Sequence, residues 1–173
     1  PTLEVGQIGY CSGWATANVD GFVLRVKGDG GHGAYPHRGA DPVTLAAQMI
    51  LAFPTIVARQ LDVNHHAVIS VGRIEGGAKS NVIPNEVLIE ATARSQDDST
   101  RQALADKVTR TVNGLAAAAG APAPQLEYYF GTVAGYNDPA LVKQVMAVVE
   151  RLLGPAAAVP YLPGMGGEEF VDT

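Results

Sequence analysis

With 173 residues, 47% of them hydrophobic, the chain is long enough for one packed core and a few attached segments. Charged residues make up 17% and the formal net charge is -5, so no stretch is basic enough to follow a nucleic-acid backbone. Cys11 is the only cysteine, which excludes an internal disulfide and a cysteine-built metal site. No uninterrupted apolar run reaches the ~18 residues of a membrane span, and no signal peptide opens the sequence. A cytoplasmic protein with no membrane partner is therefore expected. The chain starts at Pro1 and stops at Thr173 after "MGGEE", and both ends are expected to be cuts in a longer protein.

In chain order, "LEVGQIGY" reads as a short strand, and "DGFVLRVKG" (20–28) alternates as a strand should. A glycine-rich loop follows. "ADPVTLAAQMILAF" then opens a helix, with Asp41 as N-cap, Pro42 at the first helical position and Val43, Ala46, Ala47, Ile50 and Phe53 at helical spacing. Pro54 is expected to kink or end that helix. "HHAVISVGRIEGG" (65–77) reads as a strand, on which the adjacent His65 and His66 would point to opposite faces and so would not serve one metal. "NVIPNEVLIEATARS" (81–95) holds a second strand with Val87, Ile89 and Ala91 on one face, and the two can pair as a hairpin. Acids and Ser99 mark the start of the next helix, Leu104, Val108 and Leu115 form its stripe, and Gly120 stops it. "PQLEYYFGTV" (124–133) is a strand, and "NDPALVKQVMAVVERLLGP" a helix of about four turns. The tail "AAAVPYLPGMGGEEF" reads as loop.

Residues 20–133 thus run strand–helix–strand–strand–helix–strand, the order of a ferredoxin-like α+β sandwich with an antiparallel sheet and two helices on one face. Residues 1–19 and 134–173 fall outside that unit and are expected to be pieces of a domain into which it is inserted.

The loop "GDGGHGAYPHRGADP" satisfies G-x-G-x-x-G over residues 28–33. A dinucleotide site needs a helix beginning at the third glycine, to hold the pyrophosphate, and an acid about 20 residues on. Pro36, Gly39 and Pro42 interrupt any such helix, and "MILAFPTIV" supplies no acid. A catalytic histidine loop and a plain turn both remain open. Flanking glycines leave the His32 imidazole accessible, and an accessible imidazole can donate a hydrogen bond to a developing oxyanion.

"GGHGAYPHRGADPV", "SVGRIEGGAKSNVIPNEV" and "MGGEEF", in this order and spacing, resemble the metal-dependent aminoacylase and carboxypeptidase family. "LEVGQIGY" and "IVARQLD" are similar to its branch of hippurate hydrolases and auxin-conjugate amidohydrolases. The resemblance covers nearly the whole chain. It implies a catalytic domain that binds a pair of divalent metals, zinc or manganese, and an inserted ferredoxin-like lid that forms a homodimer. It further implies a small-molecule substrate, an N-acyl or N-aroyl amino acid or a peptide, whose amide bond a metal-activated water hydrolyses. The family's His, Asp, Glu and Cys ligands would fall before Pro1 and after Thr173. This chain alone is then expected to bind no metal and to be inactive, as a lid (20–133) between catalytic-domain flanks (1–19 and 134–173).

His32 matches the family's lid histidine, which stabilises the tetrahedral oxyanion. Asn81, opening "NVIP", matches an asparagine that points its amide into the substrate site. Arg94 matches an arginine that binds the substrate's free carboxylate, a task suited to a guanidinium fork. Taken alone, the three are equally readable as a turn histidine, a turn asparagine and a surface arginine near Asp97 and Asp98. His37 is expected to support the loop, Cys11 to pack, and Glu168 and Glu169 to match an acidic pair whose role the resemblance does not give. The alternative from another class is a non-catalytic dimerisation or ligand-binding module of the same fold.

Overall fold

The computed structural model describes residues 3–168. The chain order is β1 (Ile8–Tyr10), β2 (Gly13–Trp14), β3 (Asn18–Lys27), β4 (Gly31–His32), α1 (Pro42–Gln60), β5 (Ala67–Gly76), β6 (Val82–Ile83) and β7 (Glu86–Ser95). α2 (Asp98–Ala118), β8 (Gln125–Phe130), β9 (Tyr136–Asn137), α3 (Pro139–Leu153) and β10 (Ala158–Pro160) complete it.

The main sheet has the order β5-β7-β3-β8, with every neighbouring pair antiparallel. Its central strand β7 alternates throughout. On β7, Val87, Ile89, Ala91 and Ala93 are buried, while Leu88, Glu90, Thr92 and Arg94 take the other face. One residue of register slip would move that apolar row to water, so the alternation fixes the pairing. α1 and α2 cover the apolar face. Phe22, Leu24, Met49, Phe53, Ile56, Ile89, Leu104, Val108 and Val112 are buried between them. Phe22 and Phe53 meet edge to face at 5.3 Å, a geometry worth about 0.5–1.5 kcal/mol beyond the burial itself. This is the ferredoxin-like sandwich that the element order predicts.

Three expectations change, two in the sandwich and one in the tail. α1 continues through Pro54 to Gln60. The ring sits on the exposed side of the helix, where the carbonyl that loses its donor can be hydrated, while Phe53 and Ile56 hold the core side. By length and mean hydropathy (1.4) α1 could also span a bilayer, but it buries Leu45, Ala46, Met49, Phe53 and Ile56 in the core. His65 and His66 lie in the turn before β5 and not on the strand. There His65 Nδ1 meets Thr100 Oγ1 at 2.5 Å, and it approaches the Asp97 carboxylate at 3.5 Å.

The segments outside the sandwich pair with each other. β1 runs parallel to β10 and β2 antiparallel to β9. The tail therefore carries a strand where the sequence reads as loop, because "AVP" gains its partner only from the far end of the chain. Asp138 caps α3, and Leu141, Val145, Val148 and Leu152 on α3 are exposed.

The buried polar residues Asn18, Asp20, Ser95, Gln96 and Thr100 gather where these segments join the sandwich. Asp20 accepts from Arg101 Nε and Nη2 and from the Gly131 N–H at 3.0 Å. This pairing raises the Arg101 pKa, with hydrogen bonding to Asp20 as the main cause. Asn18 donates to Ser95 Oγ (3.0 Å) and accepts from the Ala134 N–H (2.8 Å). Burial likewise raises the Tyr128 phenol, whose buried hydroxyl has no hydrogen-bond partner among the described residues.

Candidate functional site

The loop between β3 and α1 is zipped to the loop between β5 and β7. The Gly28 N–H donates to Asn85 O at 2.8 Å, β4 pairs with β6, and the Gly33 N–H donates to Asn81 O at 2.8 Å. Gly30 is required here, and Gly33 lets the two loops pack closely. Gly30 has φ 65°, and a Cβ on it would run into the Asn85 side chain. A Cβ on Gly33 would lie 3.3 Å from the Asn81 carbonyl group. Asp29 closes the loop from its far side by accepting from the Ala40 N–H at 2.7 Å. After Gly33 comes only a short 3-10 turn, Pro36–Arg38, and α1 starts at Pro42 under its Asp41 cap. No helix begins at the third glycine, so the loop lacks the geometry of a phosphate cradle.

What the zipped loops present is His32 beside Asn81, both exposed. The Ala34 N–H donates to His32 Nδ1 at 3.1 Å. With Nδ1 accepting, the neutral ring carries its proton on Nε2, and that N–H is the donor left for a ligand. The Tyr35 ring packs on the imidazole with centroids 5.6 Å apart, and Arg38 Cζ stands 4.6 Å from the Tyr35 centroid. His37 meets Tyr35 edge-on at 6.4 Å, in keeping with a supporting place in the loop. Asn81 uses its backbone carbonyl in the zipper, while its side-chain amide has no hydrogen bond among the described residues.

Arg94 stands at the opposite end of the sheet. It lies on the open face of β7, paired with Val19 on β3 and Val68 on β5. Eight residues separate it from Glu86, which at about 3.3 Å per residue is about 26 Å of strand, while the His32–Asn81 zipper lies past the Glu86 end. The structure brings His32 and Asn81 together and does not bring Arg94 to them. Arg94 makes no ion pair among the described residues, and its Nη1 approaches Gly167. Glu168 is exposed one residue further on, and Glu169 lies outside the described residues. At the Glu86 end, beside Val82 and Pro84, a groove of about 720 Å³ holds Arg25, Arg73, Glu75, Glu86 and Glu90. Those charges answer one another, Arg25 with Glu86 at 3.0 Å and Arg73 with Glu90 at 2.8 Å. The groove therefore offers no unmatched cation to a carboxylate.

Among the described residues, no three His, Cys, Asp or Glu side chains converge as metal ligands. Cys11 is half-buried, with its thiol donating weakly to Trp14 O at 3.5 Å. Sequence reasoning missed Tyr35 as a contact of His32. The "YPHR" spacing was visible, but the turn that folds Tyr35 back onto the histidine was not.

This sandwich of a four-stranded antiparallel sheet under two helices is an α+β module of the ferredoxin-like class. Residues 15–119 match the peptidase dimerisation domain model of the M20 family, and the chain belongs to that family. It is 32% identical over 170 residues to an N-acetyl-L-cysteine deacetylase of Bacillus subtilis, an alignment covering 98% of this chain and 40% of the relative. An N-acetyldiaminopimelate deacetylase of Bacillus licheniformis is 35% identical, with 98% and 45% covered. The fold matches a Bacillus subtilis protein described as a dinuclear metal binding peptidase of the M20 family, with a TM-score of 0.79 and 28% identity over 99% of this chain and 41% of the other. The chain thus spans less than half the length of these relatives.

Proposed function

We propose that this chain is the lid of an amidohydrolase that cleaves the amide bond of N-acyl amino acids, with residues 1–19 and 134–173 belonging to the adjoining catalytic domain. The observation that carries this reading is the orientation of His32. Its Nδ1 accepts from the Ala34 N–H, which leaves Nε2 of the exposed ring as the donor, and the exposed Asn81 lies beside it. Such a fixed donor is suited to the oxyanion that forms when water adds to an amide carbonyl. Asn81 adds a second neutral donor. Arg94, which makes no ion pair among the described residues, is suited to the substrate's carboxylate. No metal-ligand set converges among the described residues, so the metal pair that the resemblance implies, zinc or manganese, would be held by residues of the adjoining catalytic domain. Hippurate-like aroyl substrates and simple acetyl substrates both fit this reading.

Dimerisation through the lid is part of the same proposal. β5 is an edge strand of ten residues, and α1 carries no charge from Pro42 to Ala58 while exposing Val43 and Leu51. An unpaired edge beside an uncharged helix face is suited to a second copy of itself. The opposite placement of His32 and Arg94 gives this a functional reason: Arg94 serves the site of its own subunit, and His32 reaches the site of the partner.

The deciding experiment is His32→Ala in the intact enzyme. Loss of an oxyanion donor is expected to lower kcat by about 10²-fold or more with little change in KM. Near-normal kcat in a folded dimer would remove His32 from the mechanism and favour the non-catalytic dimerisation module.

A further inference from the structure

We propose that Tyr35, backed by Arg38, is a positioning residue that fixes the His32 imidazole in the orientation its role as an oxyanion donor requires; this rests on the proposed function. His32 sits on a two-residue strand at the tip of an exposed loop, so packing from a core does not hold its ring. The Ala34 N–H holds Nδ1 at 3.1 Å. A single hydrogen bond leaves the ring free to rock about that contact and to exchange tautomers. Tyr35 supplies the restraint. Its N–H donates to His32 O at 2.9 Å, which turns the chain back and sets the phenol ring 5.6 Å from the imidazole at a tilt of 48°.

Tyr35 is held in its turn. Pro36 disfavours the helical conformation for the residue before it, and Tyr35 sits at φ -127°, ψ 54°. The Arg38 N–H donates to Tyr35 O at 3.2 Å, which brings the guanidinium over the phenol ring with Cζ 4.6 Å from its centroid. A cation over an aromatic face is attractive even at an exposed site. Tyr35 remains 49% exposed, so the contacts that locate it are those with His32, His37 and Arg38, and no core contact accounts for it. A donor aimed at a short-lived oxyanion loses its effect when displaced by an ångström, so the restraint acts on turnover more than on substrate binding.

The test has two arms. In the first, the chain carries ¹⁵N-labelled histidine, and the His32 signals are assigned by their loss in His32→Gln. The wild-type protein is expected to show the Nε2–H tautomer alone. Tyr35→Ala is expected to move the His32 nitrogen shifts towards those of exchanging tautomers, Arg38→Met to move them less, and Tyr35→Phe to leave them in place. Unchanged His32 shifts in Tyr35→Ala would overturn the proposal. In the second arm, Tyr35→Ala in the intact enzyme is expected to lower kcat about tenfold and to keep KM within about twofold, with Tyr35→Phe restoring kcat. If the shifts move and turnover does not, the clamp stands and it is the oxyanion role of His32 that fails.

Discussion

A guanidinium recognises a carboxylate through two parallel N–H donors, and Arg94, on the open face of β7, makes no ion pair among the described residues. Arg94→Ala in the intact enzyme is expected to raise KM about tenfold or more for substrates with a free carboxylate, from the ~1.5–3 kcal/mol of a charged hydrogen bond. Arg94→Lys should recover only part, because an ammonium cannot make the fork. The matching measurement is KM for an analogue whose carboxylate is amidated, which should barely respond to either change. The identities of His32, Asn81 and Arg94 were legible in the sequence because each sits in a short motif or at a fixed spacing from one. Their geometry was not. That the Gly33–Asn81 bond brings His32 alongside Asn81, and that Arg94 lies a sheet's length away, depends on which strand ends meet. Tyr35 was missed because ring-on-ring contact inside a 3-10 turn leaves no periodic trace.

At the scale of elements, alternation and capping made most of the sandwich readable, and α2 illustrates the energetics. Asp97 caps it, accepting from the Thr100 N–H at 2.8 Å and from the Ser99 hydroxyl at 2.5 Å. Burial works against the Asp97 carboxylate, but the hydrogen bonds from Ser99 and Thr100 outweigh it and hold its pKa below the usual value. A lowered folded-state pKa gives stability that is complete above the unfolded value near pH 4 and is lost as pH falls through the folded value. Asp97→Ala is expected to reduce unfolding free energy by about 1 kcal/mol at pH 7. Denaturant titrations at decreasing pH should show the gap between wild type and variant close below about pH 4. The Asp20–Arg101 pair is the costlier one to break, since Asp20 is 1% exposed at its side chain. Arg101→Met strands a buried carboxylate and is expected to cost about 3–5 kcal/mol, read as a fall in the denaturation midpoint. Neither this pair nor β10 could be read along the chain. Each depends on partners more than 80 positions away, and α1 outlasts Pro54 because the core holds its other face.

At the scale of the whole molecule, the exposed apolar stripe of α3 and the uncharged face of α1 are surfaces that a larger assembly would cover. The sharper consequence comes from the two ends of the sheet. If one substrate needs both the Arg94 fork and the His32 donor, a single lid cannot supply both at one site, and the complete site must draw on two subunits. Take a heterodimer, purified through two different tags, of one His32→Ala subunit and one Arg94→Ala subunit of the intact enzyme. The site carrying the first subunit's own Arg94 receives the second subunit's His32 and is complete. The other site lacks both groups. Below KM, about half the wild-type activity is therefore expected from the heterodimer, against near-total loss in the His32→Ala homodimer and an about tenfold or greater loss in the Arg94→Ala homodimer. Were both residues to act within one subunit, each site of the heterodimer would carry one defect, and mixing would restore nothing beyond the average of the two homodimers. Turnover of the tagged heterodimer at substrate well below KM, where the Arg94 defect is fully expressed, decides between the two arrangements.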